Sequence, residues 1–261
     1  MKTLLIAGGG KFGKKALDFA QNQNFHTIII DNSPECLASE YVDKSFTNIK
    51  KLLESFHTAS EPKLFLLLRN ISIINELLES TEIQFQYIIP VVPLHLTALI
   101  VQNILKKNNY EIMPDEKNCT QTVRNLKKDI LLNHNCEEGV VYLSYAKEGE
   151  TCPDDCPGPP NYCPNFNREK PITITKYIQI FFDVSNNFNL LNNKDLLVIS
   201  IHSFQLIPGL GGLRGKDLYN IISELSINLK KIQKNKMKTI ITTSCNCHGV
   251  INYFKPLDSS S

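Results

Sequence analysis

Two clusters of residues in this 261-residue chain have the types and spacing to do chemistry. The first is Gly8-Gly9-Gly10-Lys11-Phe12-Gly13, which fits G-x-G-x-x-G with Gly8, Gly10 and Gly13 in the marked places. In that pattern the first glycine permits a tight turn. The second lets a pyrophosphate approach the backbone, and the third lets the following helix pack closely on the strand. Free N–H groups and the partial positive charge of the helix N-terminus then face the phosphates. Lys11 and Phe12 lie inside the motif and join the candidate cofactor-binding set. Asp31 ends the next apolar run, 18 residues after Gly13. A carboxylate there accepts from a ribose 2′-hydroxyl and repels a 2′-phosphate, which predicts NAD(H) or an adenosine nucleotide rather than NADP(H).

The second cluster is made of thiols. Cys152, Cys156 and Cys163 form C-x3-C-x6-C, and each is followed by proline: Pro153, Pro157 and Pro164. Proline fixes the backbone and removes an N–H, which suits a rigid ligand loop. A second group, Ser244-Cys245-Asn246-Cys247-His248-Gly249, directly follows an apolar run. Three cysteines from the loop with Cys245 or Cys247 make a four-thiolate set, which an iron–sulfur cluster or a structural zinc takes. Zinc sites favour C-x2-C knuckles and none occurs, so a [4Fe-4S] cluster is preferred, with zinc as the alternative. Cys-Pro pairs also close bacterial ferredoxin cysteine runs, although the spacing here differs. His248 is a further donor, or a neighbour of the donors. Cys36 reads as an ordinary thiol, and Cys119 and Cys136 as structural ones, since a chain without an export signal seldom keeps disulfides.

Three further features are candidates. His202, at the end of the apolar run Leu196 to Ile201, and His95, after Pro90-Val91-Val92-Pro93, are the possible catalytic proton donors. Each reads more readily as a structural histidine. Pro208 to Lys216 holds four glycines with Arg214 and Lys216, which suits an anion-binding nest or a plain connection.

These residues need elements to position them. To about Asp115, apolar runs alternate with helical periodicity: strands at Leu4 to Ala7, Thr27 to Ile30, Lys63 to Leu68, Tyr87 to Ile89 and Tyr110 to Met113, helices at Lys11 to Asn22, Ile71 to Glu79 and Leu94 to Lys107. That alternation implies βαβ units and a parallel sheet. The second half predicts a helix over Thr120 to Leu132, strands at Val140 to Tyr145, Leu196 to Ile201 and Thr239 to Thr243, and a helix over Lys216 to Ile232. Ile172 to Val184 reads as strand or short helix. The proline-rich segment 151–170 has little apolar content, so a bound metal is an economical way to order it.

Leu4-Leu5-Ile6-Ala7-Gly8-Gly9-Gly10-Lys11-Phe12-Gly13 and Ile28-Ile29-Ile30-Asp31-Asn32-Ser33-Pro34 resemble the NAD-binding domain of potassium-channel regulators. Ala38-Ser39-Glu40-Tyr41-Val42-Asp43-Lys44 is similar to the Rossmann-like domain that precedes ATP-grasp enzymes. The resemblance covers about the first 45 residues and implies fold and dinucleotide more than activity. Past it there is no ATP-grasp domain and no channel-regulator pattern.

Composition sets the outer bounds. Lys plus Arg is 28 and Asp plus Glu is 26, a net charge of +2 that gives no footprint for nucleic acid or an anionic membrane. No apolar run reaches the length of a membrane-spanning helix, and the N-terminus does not read as a signal peptide. The expectation is therefore a cytoplasmic α/β protein. Residues 1–115 would form a Rossmann-like dinucleotide-binding domain, and residues 116–261 a cysteine-rich α/β region carrying a metal or cluster loop at 151–170. The expected function is an NAD-linked oxidoreductase with an iron–sulfur cluster, acting on a small molecule or a redox partner protein, and possible as a homodimer. The alternatives are a regulatory protein that senses NAD(H) and metal without turnover, and a dehydrogenase with a structural zinc.

Overall fold

Leu4, Leu5, Ile6 and Ala7 offer no polar side chain to water, and all four are fully buried in the middle of a sheet. The structure is a computed structural model that describes residues 1–80, 83–191 and 195–257. Its elements in chain order are β1 (Thr3–Ala7), α1 (Lys11–Asn22), β2 (His26–Asp31), β3 (Lys44–Phe46), α2 (Ile49–Thr58), β4 (Leu64–Leu68), α3 (Ile74–Glu79) and β5 (Tyr87–Pro90). There follow α4 (Leu96–Lys107), β6 (Ile112–Pro114), α5 (Glu116–Asn125), β7 (Leu131–Asn135), β8 (Val140–Ser144), β9 (Tyr162–Cys163) and β10 (Arg168–Glu169). The chain ends with α6 (Ile174–Phe182), β11 (Phe188–Leu191), β12 (Leu196–Ile207), β13 (Leu210–Arg214), α7 (Gly215–Lys234), β14 (Lys238–Ser244) and β15 (His248–Pro256). The α/β class expected from the alternation is the class observed.

Two compact units result: Met1–Leu96 with Leu210–Tyr219, and Thr97–Gly209 with Asn220–Ser261. In the first, β3, β4, β2, β1 and β5 lie side by side and parallel, and β13 joins β5 antiparallel. β2 and β5 flank β1 on opposite sides, so the strand order reverses at β1. In open α/β sheets such a switch point opens a crevice at the carboxyl ends of the strands. The glycine motif lies at that end of β1.

The second unit is mixed rather than parallel. β12 and β14 run parallel, and β11, β15, β8 and β7 complete the sheet antiparallel. α6 covers one face with Ile174, Tyr177, Ile178 and Phe182, which pack with Val141, Val198, Ile240 and Ile251. The alternation of strand and helix runs on to about residue 115, but α4 and the segment after it bond within the second unit. Thr97 Oγ1 meets Thr243 Oγ1 at 3.0 Å, and the Tyr110 hydroxyl donates to the Met237 carbonyl.

Four local expectations are corrected. The helix expected at Thr120 to Leu132 starts at Glu116, where Asp115 accepts from the Asn118 N–H, and ends at Asn125. Leu131–Asn135 is instead a strand, because it pairs with β8. The glycine-rich stretch, read as an anion nest or a plain connection, contains β13, ordered by pairing with β5. Ile201 does not end its strand, which continues to Ile207. Cys119 and Cys136, expected as thiols, form a disulfide with a Cα–Cα distance of 5.4 Å.

Candidate functional site

The first unit assembles the glycine loop as the motif requires. Gly8 has φ +108°, and a Cβ there would stand 2.9 Å from the Val91 carbonyl oxygen. A Cβ on Gly13 would overlap the Gly8 carbonyl, whereas one on Gly10 would meet nothing within 4 Å. The loop is thus closed on the strand side and open where a phosphate would lie. α1 has no side-chain cap and no acidic residue in its first turn, so neither takes up the N–H groups that open the helix. Lys11 and Phe12 sit exposed at that end, and the Lys11 ammonium lies 5.9 Å from the Phe12 ring centroid.

Asp31 is placed as expected but is already at work. Its Oδ2 accepts the Gly9 N–H at 2.6 Å and its Oδ1 accepts the Ser33 N–H at 2.8 Å. A carboxylate has about four acceptor sites, so room remains for a ribose hydroxyl. The Cys36 sulfur packs against Gly9 so closely that a Cβ on Gly9 would overlap it. Burial, then the Asp31 charge, pushes the Cys36 thiol above its ordinary value. The role of Cys36 as the wall behind the glycine loop had no signal in its spacing. His95 is half-buried between β5 and α4, just past the Pro90–Val92 segment that lies against Gly8.

The second unit brings the cysteines together. Cys152 Sγ lies 3.6 Å from His248 Nε2, and Cys245 Sγ lies 3.9 Å from His248 Nδ1. The Cys247 N–H donates to Cys245 Sγ at 3.4 Å. Cys156 Sγ accepts from Asn165 Nδ2, and its carbonyl accepts from Gln205 Nε2. The Cys152 thiol is pushed up first by burial and then by the charges that Cys156, Cys163, Cys247 and Cys245 would carry. Cys152 therefore stands near four further thiols, which come from two segments more than 80 residues apart. Cys119 and Cys136 are not among them. Crowding and the Lys170 ammonium hold the His248 imidazole below its ordinary value, although the residue keeps an exposed edge.

Among the described residues, no three Cys, His, Asp or Glu side chains stand at coordination spacing. The proline-rich segment is ordered here by other means. Arg168 makes two hydrogen bonds to the Glu150 carboxylate, at 2.9 and 2.8 Å, and also donates to the Tyr145 carbonyl. β9 and β10 pair across the turn between them, and the Gly209 N–H donates to the Cys156 carbonyl. Lys170 is 2% exposed, and its ammonium donates to Cys247 Sγ at 3.0 Å and to the Pro159 carbonyl. A lysine beside Glu169 reads as surface in sequence, so this residue was missed. Burial pushes the Cys247 thiol up, and the Lys170 hydrogen bond offsets part of that rise.

His202 does not end a strand but lies within β12. Its Nδ1 meets Thr175 Oγ1 at 2.8 Å, and Ser244 donates to the same hydroxyl at 3.0 Å. His202 and His95 fall in different units. A cavity of about 320 Å³ lies in the second unit, lined by Lys127, Ile130, Tyr145, Lys147, Arg168 and Ile172. The Tyr145 N–H donates to the Cys247 carbonyl, which joins this cavity to the cluster. No helix among the described residues is long and apolar enough to cross a membrane.

Residues 97–256 match the family model AF_1314_C, described as "Uncharacterized protein, C-terminal domain". Residues 4–96 match AF_1314_N, the "N-terminal domain" of the same description. A relative from Archaeoglobus fulgidus, itself called "Uncharacterized protein", is 28% identical over 251 residues, covering 96% of this chain and 98% of its own. No solved structure matches.

Proposed function

The chain belongs to the AF_1314 family, both of whose domains it carries, and we propose that it is an NAD(H)-linked redox protein with an iron–sulfur centre. The observation that carries this reading is the meeting of the two cysteine segments of the second unit, where His248 reaches Cys152 and Lys170 reaches Cys247. Cys152, Cys156, Cys163 and either Cys245 or Cys247 are the ligands assigned to a [4Fe-4S] cluster. Free thiolates are what such a cluster binds, and their softness also suits zinc. When bound, the cluster supplies one-electron chemistry. The glycine loop and Asp31 would hold the dinucleotide in the first unit, with the pyrophosphate over Gly10 and a ribose hydroxyl on Asp31. Six free cysteines suit a reducing compartment and the Cys119–Cys136 disulfide does not; a cytoplasmic location belongs with this reading through the six. The electron partner is a small molecule, for which the 320 Å³ cavity has room, or a redox protein.

Anaerobic purification followed by iron, sulfide and zinc analysis tests the centre. The expected result is a brown protein with about four irons per chain. About one zinc and no iron would replace the cluster by a structural metal, and neither metal would remove it. Calorimetry with NADH and NADPH tests the first unit, with tighter binding expected for NADH. A sensing role without turnover draws on one observation: Thr175 already engages His202 Nδ1. In that case NADH changes the proteolytic sensitivity of residues 151–170 while every substrate class fails to turn over.

A further inference from the structure

Lys170 is out of place by ordinary rules. A lysine is almost never fully buried unless an opposite charge stands beside it. Lys170 is 2% exposed, and its ammonium contacts the Pro159 carbonyl and Cys247 Sγ; no carboxylate pairs with it among the described residues. Taking an ammonium out of water costs heavily when nothing compensates its charge. The groups within reach that can become anionic are the thiols: Cys247 in direct contact, with Cys245 and Cys156 behind it.

We propose that Lys170 is the fixed counter-ion of an anionic thiolate assembly built on Cys247, and that it sets the metal affinity and reduction equilibrium of that assembly. This inference rests on the reading of the cysteines as metal ligands. Four thiolates around a zinc ion, or around a [4Fe-4S] cluster in its oxidised state, leave a net charge of minus two. A buried positive charge that donates to one ligand sulfur offsets it. Adding an electron makes the assembly more negative, so the same ammonium favours the reduced form. Before metal binds, the ammonium has only the Cys247 sulfur and a carbonyl for company, and it weighs against the fold.

These two states give opposite signs, which a packing role does not. K170M keeps most of the side-chain volume and removes the charge. The experiment compares wild-type protein, K170M and K170R at full length, titrated with cobalt(II) and zinc and melted with and without metal. The same proteins are then reconstituted with iron and sulfide for redox titration. K170M is expected to bind cobalt(II) at least about tenfold more weakly, while its metal-free form melts no lower than wild type. Its cluster should be harder to reduce by at least about tenfold, which is about 59 mV for one electron. K170R should stay near wild type on each measure.

Equal affinity and equal potential in K170M would overturn the inference. So would a loss of stability of the same size with and without metal, which marks plain packing. If K170M does not fold, K170Q takes its place with the same readouts. Failure of the wild-type protein to take up cobalt, zinc or iron would remove the metal reading and this inference together. Metal uptake that is indifferent to Lys170 removes the inference alone.

Discussion

Gly10 and Gly13 stand three residues apart in one motif, yet their surroundings predict different outcomes on substitution. A methyl on Gly13 would overlap the Gly8 carbonyl, so G13A must move the helix or the turn, at a cost of about 1–3 kcal/mol. A methyl on Gly10 meets nothing, and its backbone, at φ −72°, suits any residue. G10A should therefore stay within about 0.5 kcal/mol of wild type in a thermal melt. If the pyrophosphate lies there, the same substitution lowers NADH affinity at least tenfold in calorimetry. Unchanged NADH affinity in G10A would leave the glycines as a strand–helix turn and nothing more. This loop was legible because its rules are local: turn, close approach and helix start fall within six residues. The work of Asp31 on the Gly9 and Ser33 N–H groups, and the burial of Lys170, were not legible. Both depend on a backbone path that no spacing encodes.

The elements read well where one apolar period dominates, as in β1, α1 and β5, and badly where a distant partner decides. Ile130-Leu131-Leu132 continues a helical pattern on paper, but pairing with β8 draws Leu131–Asn135 into a strand. Leu210–Arg214, with two glycines in five residues, becomes a strand because β5 offers an open edge. Segment 151–170 reads in sequence as needing something other than an apolar core to order it, such as a bound metal, and the Glu150–Arg168 pair is one such tether. That pair gives a pH prediction. Arg168, then the Lys147 N–H, hold the Glu150 carboxyl at about 2, below its ordinary 4.5. A carboxylate whose folded value is depressed contributes fully above its unfolded value and loses its contribution as pH falls through the folded one. The tether should weaken between about 4.5 and 2, so pepsin should cut residues 151–170 faster across that window. In E150Q cleavage should start fast and stay flat with pH; a wild-type rate equally flat would sink the tether. The disulfide acts nearby. Closing about 17 residues between α5 and the β7–β8 hairpin is worth about 3 kcal/mol in the chain-entropy view. Reduction, or C119S, should lower the melting of the second unit accordingly, checked by denaturant titration.

Across the whole molecule, the order of the chain and the order of the fold disagree. The family boundary falls between residues 96 and 97, but the first unit is not finished there. Its sheet needs Leu213 opposite Ile88 and Arg214 opposite Tyr87, the Gly215 N–H on the Gln86 carbonyl, and the Tyr219 hydroxyl on the Phe85 N–H. All of these arrive after residue 209. A fragment ending at residue 96 loses them together and exposes β5 as a bare edge, with Ile88 and Ile89 in it. Unpaired apolar edges invite association with other chains. Such a fragment should therefore aggregate or unfold at lower denaturant than the first unit does in the intact chain. Adding residues 210–219 through a flexible linker should restore most of the loss, and the same linker carrying a scrambled ten-residue segment should not. Gel filtration and urea titration of the three fragments measure this. A fragment 1–96 that is monomeric and as stable as the linked one would show that β13 is dispensable. The nucleotide prediction could then be tested on the shorter piece. If the linked fragment alone is stable, NADH binding to the glycine loop must be measured on a chain that keeps Leu210–Tyr219. Loss of binding in a truncated protein would then report a missing strand rather than a missing site.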